Sequence, residues 1–520
     1  MNSVGEKYVI AHDVGTSSVK SVLVNRSGQI ITTAKAGYDF HYPHPGWVEQ
    51  NPEDYWQGIV SNTRQLMTES KVDGSLVLGM VFSTQAMGII ALDKEDKPLN
   101  NNITWVDGRA EDQARQLMNL LGGKTIFKKL IGVEITGKDV IPKLRWMKQK
   151  MPDVYNRTKT IVDVNGYLKF KATDKKVFEW SGACSYGFDV KKKDWERLLF
   201  KVAGIDVKKF PPLVKSTDKV GTLLPEVAAE MNLPSTVGVY GGCDDTQSAA
   251  IGSGANGEGE AHIYLGTSAW AGIITSRNLK HKNGAAVLQS ADPEKNIVVG
   301  ITESAGSNFD WMIEKFYHYE KNDPRVTDIY SFIDQETKGI PAGSDNLIFT
   351  PWLLGERCPV STTTTRGTVF NLGLEHSRGH LVNAMLEGVG FNLRWIFDNF
   401  KQDFGFKPSR IRAIGGGSVN EKWMQGIANI TGLNVETVEN PTISGAMGAA
   451  VCVFVAEGVF NSFDDVNAFI RQKAVYKPDP DQKELYERLF TSYKAVYRGL
   501  KKAYAQANLD RFNITNIYNG

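Results

Sequence analysis

One strand–turn–strand arrangement occurs twice in this chain, and that repetition limits the fold more than any other feature. The first copy is an apolar run, Tyr8-Val9-Ile10-Ala11-His12, then the polar turn Asp13-Val14-Gly15-Thr16-Ser17-Ser18 and a second run, Val19 to Val24. A turn at Asn25-Arg26-Ser27-Gly28 follows, so the pattern predicts a β-meander. In mid-chain, His262-Ile263-Tyr264-Leu265 leads into Gly266-Thr267-Ser268, and Ala269 to Thr275 forms the next run. Superposing the two Gly-Thr-Ser turns sets Tyr264 where the first copy has Asp13, so the second copy keeps the turn and lacks the acid. A chain of 520 residues exceeds one ordinary core. The duplication therefore predicts two related domains, 1–256 and 257–520. The glycine-rich stretch Gly252 to Gly259 between them reads as a hinge or as a surface loop.

Further along, the spacing of Leu381, Ala384, Met385, Gly388 and Phe391 predicts a helix over His380 to Phe397. Asp481 to Tyr504 predicts a second helix, a structural cap, and Gly445 to Val455 a tightly packed one too short to span a bilayer. The 60 basic and 58 acidic residues leave a net charge of +2, too weak a field to suggest nucleic acid or an anionic membrane as partner. Cys184, Cys243, Cys358 and Cys452 are widely separated, and the first seven residues lack the layout of a secretory signal. Both features predict a reducing, cytoplasmic setting.

Four segments have the composition for chemistry. In an Asp-x-Gly-Thr-Ser turn the glycine lets backbone N–H groups approach an oxyanion, the hydroxyls add donors, and the Asp can orient hydrated Mg²⁺. Two such turns facing each other could clamp a polyphosphate. Ile411 to Ile414 runs into Gly415-Gly416-Gly417, where a base or ribose could lie against bare backbone; a strand-to-helix turn without ligand reads equally well. Gly241-Gly242-Cys243-Asp244-Asp245 places two acids at a crowded turn, one suited to accept a hydroxyl proton, the other to cap the following helix.

In this order and spacing these segments resemble the FGGY family of carbohydrate kinases, within the hexokinase–actin superfamily, from Tyr8 to about Gly499. Pro45 to Trp56 is similar to an N-terminal segment of the family's xylulokinases, and Trp105-Val106-Asp107-Gly108-Arg109 to its Trp-x-Asp-x-Arg element. Lys143 to Met147 resembles the core of one family signature. Gly367 to Leu372 with His380-Leu381 and Ala384 to Glu387 resembles another, with Asn371 where glycine is usual.

The resemblance implies an α/β fold of two actin-like (ribonuclease H-like) domains around a cleft, ATP and Mg²⁺ as cofactors, and a small sugar as substrate. A homodimer is the candidate assembly. It carries the first phosphate loop onto Asp13, Gly15, Thr16 and Ser17, and the second onto Gly266, Thr267 and Ser268. Gly306, Gly415, Gly416 and Gly417 would face the adenosine, Asp13 and Asp244 would serve the metal, and Asp244 would be the base. Sugar contacts fall on Gln85, Ala86, Met87, Trp105, Asp244 and Asp245. Xylulokinases usually read Gln-Met-His-Gly where this chain has Gln85-Ala86-Met87-Gly88, and Asn where it has Asp245. A ketopentose such as D-xylulose is therefore the first expectation, and gluconate or another polyol or ketose the second. An actin- or chaperone-type ATPase is the alternative from outside the kinases.

Overall fold

A computed structural model describes residues 6–123, 126–127 and 134–508. Residues 1–5, part of the segment that shows no secretory pattern, lie outside the described residues.

The first half opens as the meander the sequence predicts: β1 (Tyr8–Val14), β2 (Ser18–Asn25) and β3 (Ile30–Gly37), successively antiparallel, with Asp13 opposite Lys20. Helix α1 (Pro52–Ser70) then packs on β2 and β3. Its start is well marked: Asn51 accepts from the Glu53 N–H, Pro52 occupies the first turn, and Glu53 and Asp54 oppose the helix dipole. The chain returns as β4 (Val77–Thr84), parallel to β1 with Ser83 beside Asp13. Helix α2 (Val164–Thr173) precedes β5 (Lys219–Thr222) and β6 (Gly238–Tyr240), which complete the order β5-β6-β4-β1-β2-β3. A short Cys243–Asp244 strand pairs with the end of β4, and α3 (Asp245–Gly252) follows directly.

The second half repeats the plan. β7 (Ala261–Leu265) and β8 (Ala269–Thr275) form the second hairpin, followed by β9 (Ala286–Gln289) and β10 (Asn296–Thr302). After α4 (Gly306–Phe316) and α5 (Arg378–Phe404), β11 (Arg410–Ile414) runs parallel to β7. Then come α6 (Glu421–Thr431), β12 (Asn434–Val438), α7 (Ser444–Ala456), β13 (Gln472–Tyr476) and α8 (Lys483–Ala507). The sheet order is β9-β10-β8-β7-β11-β12-β13. In each sheet an antiparallel hairpin is continued by two parallel strands and closed by an antiparallel one, so the duplication read from two turns extends to the topology.

The packed helix expected near Gly445 does form, and it joins the halves. α7 comes from the second half of the chain, yet Ala446 to Phe454 bury against Val9, Ala11, Val22, Val24 and Val81 of the first sheet. It also lies tightly along α3: a Cβ at Gly448 would collide with the Ser248 carbonyl, and one at Gly252 with that of Ser444. Bare backbone at both positions lets the helices approach more closely than side chains would permit.

The Gly252–Gly259 hinge needs correction. Ser253 to Asn256 are buried, the Asn256 Nδ2 donates to Asp464 at 2.7 Å, and Glu260 accepts the Asn256 and Gly257 N–H groups. This connection is anchored, because a buried backbone must satisfy its polar groups. The C-terminal α8 is structural as expected, burying Tyr486, Leu489, Phe490 and Tyr493. Among the described residues no helix is long and apolar enough to cross a membrane.

Candidate active site

The first Gly-Thr-Ser turn closes through the Gly15 N–H donating to the Ser18 carbonyl at 3.1 Å. Asp13, at the end of β1, accepts from the Ser83 hydroxyl at 3.1 Å. Gly445, at the start of α7, leaves its carboxylate room, since a Cβ there would lie 2.8 Å from the Asp13 Cγ. Burial pushes the Asp13 carboxyl up, against Lys20 and the Ser83 hydroxyl, which lower it.

Asp244 and Asp245 end the first sheet beside this turn. Asp244 is 3% exposed and sits at the N-cap of α3, but its side chain caps nothing. Burial drives its carboxyl well above the usual range, reinforced by Asp163, Asp245 and Glu179 and opposed by Lys169. Asp245, the first residue of α3, is pushed up to about 7 by burial and by Asp13. The helix-capping role considered for one of the pair is unused by Asp244, whereas the Asp245 carboxylate accepts from the Thr246 hydroxyl at 3.2 Å in the first turn of α3. Burial raises the Tyr264 phenol, and Asp13 and Asp245 add to it, which sets the strand before the second turn near the two acids.

The second turn closes through Gly266 N–H to Ser268 carbonyl at 3.0 Å, and α4 is fastened to it. The Ala305 and Ser307 N–H groups donate to the Thr267 carbonyl, and the Gly306 N–H to that of Gly266 at 2.8 Å. A Cβ on Gly306 would lie 2.5 Å from the Gly266 oxygen. Gly306 is thus glycine because the loop backs onto it, a reason distinct from the expected adenosine contact. The three-glycine turn divides likewise. Gly415, at φ +88°, abuts the Leu265 backbone, and Gly417 packs on Trp423, whereas beside Gly416 nothing lies within 4 Å. Of the three, Gly416 is exposed, Gly417 half-buried and Gly415 buried.

A polyphosphate with a hydrated divalent cation fits this arrangement. Asp13 and Asp244 are the acids expected to serve the metal, and the carboxyl that feels Asp13 is that of Asp245, the next residue; no group of three or more His, Cys, Asp or Glu forms a metal cage among the described residues. Mg²⁺ suits such a site, because it keeps several waters and takes few protein ligands.

On the sugar side, the Trp105 indole N–H donates to the Thr16 hydroxyl at 3.2 Å, tying it to the first loop. Gln85 is almost wholly buried; its amide donates to Gln50 at 3.0 Å and to the Tyr55 hydroxyl, while its Oε1 has no partner. Its visible role is to hold the β4 end against α1. Ala86 and Met87 are half-buried, and Met87 adopts φ +64°, a left-handed conformation that His or Asn enters more readily than Met. The Trp-x-Asp-x-Arg element is a clamp: Arg109 pairs with Asp107 and Glu49, each at 2.7 Å, beneath the Trp47 ring at 4.0 Å. Lys143 is buried and donates to the Thr104 carbonyl at 2.7 Å. Glu387, from the other signature, accepts from Gly343, Ser344 and Tyr486 and binds α5 to α8.

Sequence reasoning missed Asp163, Lys169, Glu179 and Ser181, which gather behind Asp244. Nothing local marks them, although Asp163 at a helix start followed by Gly166 is a cap signature that could have placed α2. It also missed a contact across the cleft, where Glu303, just before α4, meets Lys138 of the first half at 3.3 Å and Arg357 at 3.0 Å.

The chain matches the FGGY family of carbohydrate kinases, N-terminal domain over residues 8–252 and C-terminal domain over residues 261–457. It belongs to that family, and is a carbohydrate kinase. It is 30% identical to a xylulose kinase of Bacillus subtilis (strain 168), over 95% of this chain and 97% of that one. It is 28% identical to a gluconokinase of the same organism, over 98% and 99%. Among solved structures, a ligand-bound xylulose kinase from Lactobacillus acidophilus superposes with a TM-score of 0.87 at 25% identity, covering 96% of this chain and 99% of the other. A xylulose kinase from Rhodospirillum rubrum gives a TM-score of 0.85 at 26% identity, covering 96% and 100%.

Proposed function

We propose that this kinase transfers the γ-phosphoryl group of ATP to a hydroxyl of D-xylulose, with Asp244 as the base. The observation that carries the reading is a nearly buried carboxylate, free of capping duty, at the end of the sheet that carries the first Gly-Thr-Ser turn. A carboxylate whose proton affinity is raised by burial is a stronger base once ionised, which suits removal of a hydroxyl proton. Mg²⁺, when bound, supplies charge neutralisation at the transferred group. The first loop holds the phosphate end from one side and Gly266, Thr267 and Ser268 from the other, while the carboxylates of Asp13 and Asp245 would hold the hydrated Mg²⁺ that neutralises it. Open backbone at Gly416 receives the nucleoside. Trp105, linked to Thr16, sets the sugar against the phosphate loop. In-line placement, rather than covalent help, lowers the barrier. Four free cysteines fit work in the reducing cytoplasm, and a homodimer is the proposed assembly.

Gluconate is the second reading, favoured by the gluconokinase relative and by Met87, which cannot hydrogen-bond a hydroxyl. A buried hydroxyl left unpaired there costs about 1–3 kcal/mol. A panel of D-xylulose, ribulose, gluconate, glycerol and erythritol, read by ADP production, tests the choice. D-xylulose is expected to give the highest kcat/KM, and Met87→His to raise it about 3–10-fold. Preference for gluconate in the native protein, with no gain for xylulose in the variant, would overturn the xylulose reading.

A further inference from the structure

We propose that α2 is the platform that aims Asp244, and that Lys169 on this helix is its positioning residue. The inference rests on the reading of Asp244 as the base. Lys169 is wholly buried, and its ammonium donates to the Gly241 carbonyl at 3.0 Å. A buried lysine is rare without such partners, because desolvating an ammonium is costly. The carbonyl it holds opens the Gly241–Asp244 turn.

Two more residues of the same helix region face that turn. The Asn165 Nδ2 lies 3.5 Å from the Cys243 carbonyl and 3.4 Å from that of Phe82. Asp163, the N-cap of α2, and Asp244 both crowd the space above Gly182, where a Cβ would lie 3.4 Å from the Asp244 Oδ1. The far end of the turn is held separately: the Asp244 N–H donates to the Ser181 hydroxyl at 2.9 Å, and Ser181 in turn donates to Glu179.

The turn is thus fixed at its entry by Lys169 and at its exit by Ser181. The Lys169 charge also opposes the repulsion among Asp163, Glu179 and Asp244, which it faces from inside the fold. Removing it would let Asp244 drift, and a misplacement of about 1 Å at a reacting group costs on the order of 10²-fold in rate. The Lys169 ammonium donates to the Gly241 carbonyl and not to a residue assigned to sugar or nucleotide, so binding should be spared.

Steady-state kinetics of the full chain with D-xylulose and MgATP test this. Lys169→Met is expected to lower kcat about 10²-fold with both KM values within about 3-fold of native, and Lys169→Arg to recover about 10-fold of the loss. Near-native kcat in Lys169→Met, KM values rising in step with the loss, or an arginine variant no better than methionine would each overturn the proposal. Should Lys169→Met fail to fold, Asn165→Ala on the same helix carries the test: about a 5-fold loss in kcat at unchanged KM supports a turn held by α2, and native kcat contradicts it. Asp244→Asn run alongside separates the two readings. Retained turnover in that variant removes the base itself, whereas an inactive Asp244→Asn beside a fully active Lys169→Met removes only the platform.

Discussion

The two hairpins share a backbone and differ in chemistry. β1 and β2 meet at Asp13-Val14-Gly15-Thr16-Ser17, β7 and β8 at Tyr264-Leu265-Gly266-Thr267-Ser268, and each is flanked by a parallel strand, β4 or β11. In the first, Asp13 is bound to Ser83 and stands near Asp245; in the second, Tyr264 stacks on Trp270 at 4.0 Å between ring centroids. Their supports differ too. Thr16 is tied by its hydroxyl to Trp105 on the sugar side, whereas the Thr267 carbonyl anchors the start of α4. A duplicated loop thus supplies the same donors twice, and specialisation lies in what stands one turn away. The acid remains on the half that holds the proposed base, and bare backbone on the half proposed for the nucleoside.

The largest test of that asymmetry is Asp244→Asn, which keeps the shape and removes the proton acceptor. A loss of roughly 10²–10⁴-fold in kcat is expected, with sugar and nucleotide binding retained by calorimetry. Native turnover would move the base to Asp245.

Asp13→Ala comes next, with about a 10²-fold loss in kcat at fixed Mg²⁺ and unchanged sugar affinity. The mirror change Tyr264→Phe should cost far less, since no acid is lost. Equal losses in the two variants would erase the distinction between the loops.

Replacing each threonine by valine sharpens the comparison. Thr16→Val, which breaks the Trp105 link, should raise the sugar KM about 5-fold as well as the ATP KM, and Thr267→Val the ATP KM alone. An unchanged sugar KM in Thr16→Val would mean that the Trp105 link does not serve the sugar.

The smallest effect concerns stability. Glu179 is pushed up to about 7 by burial, against its hydrogen bonds to Ser181 and the charge of Lys169. A carboxyl whose folded pKa is raised favours folding while protonated, and that contribution is lost as pH rises through about 7. The melting temperature of the ligand-free protein should therefore fall between about pH 5 and about pH 8, and Glu179→Gln should flatten the slope. An unchanged slope would show that Glu179 is ionised in the fold.

Much of this was legible from residue order. Hairpins announce themselves because apolar runs and a Gly-Thr-Ser turn are local, so β1, β2, β7 and β8 are found almost to the residue. The long α5 was visible from its spacing but runs on to Phe404, where Gly405 ends it in a left-handed turn. What local pattern cannot show is contact between distant segments. Lys169, Ser181 and Asp244 meet only after α2 has packed behind the Gly241 turn. The glycines at 306, 415 and 417 read as ligand contacts, because a sequence does not say whether the space beside a glycine holds a ligand or another strand. For the same reason residue order does not show that Gly252 to Asn256, within the stretch read as a hinge, are buried, or that the halves join at the α3–α7 crossing.

The most direct test of the account is ADP release by the native protein with and without sugar. If the acid-bearing half positions a sugar hydroxyl against nucleotide held by the other, ADP release with MgATP alone should be slow. It should rise on the order of 10²-fold or more when D-xylulose is added, with one sugar phosphate formed per ADP. Equal ADP release in the presence and absence of every sugar in the panel would contradict it, and would describe an ATPase built on the same two halves.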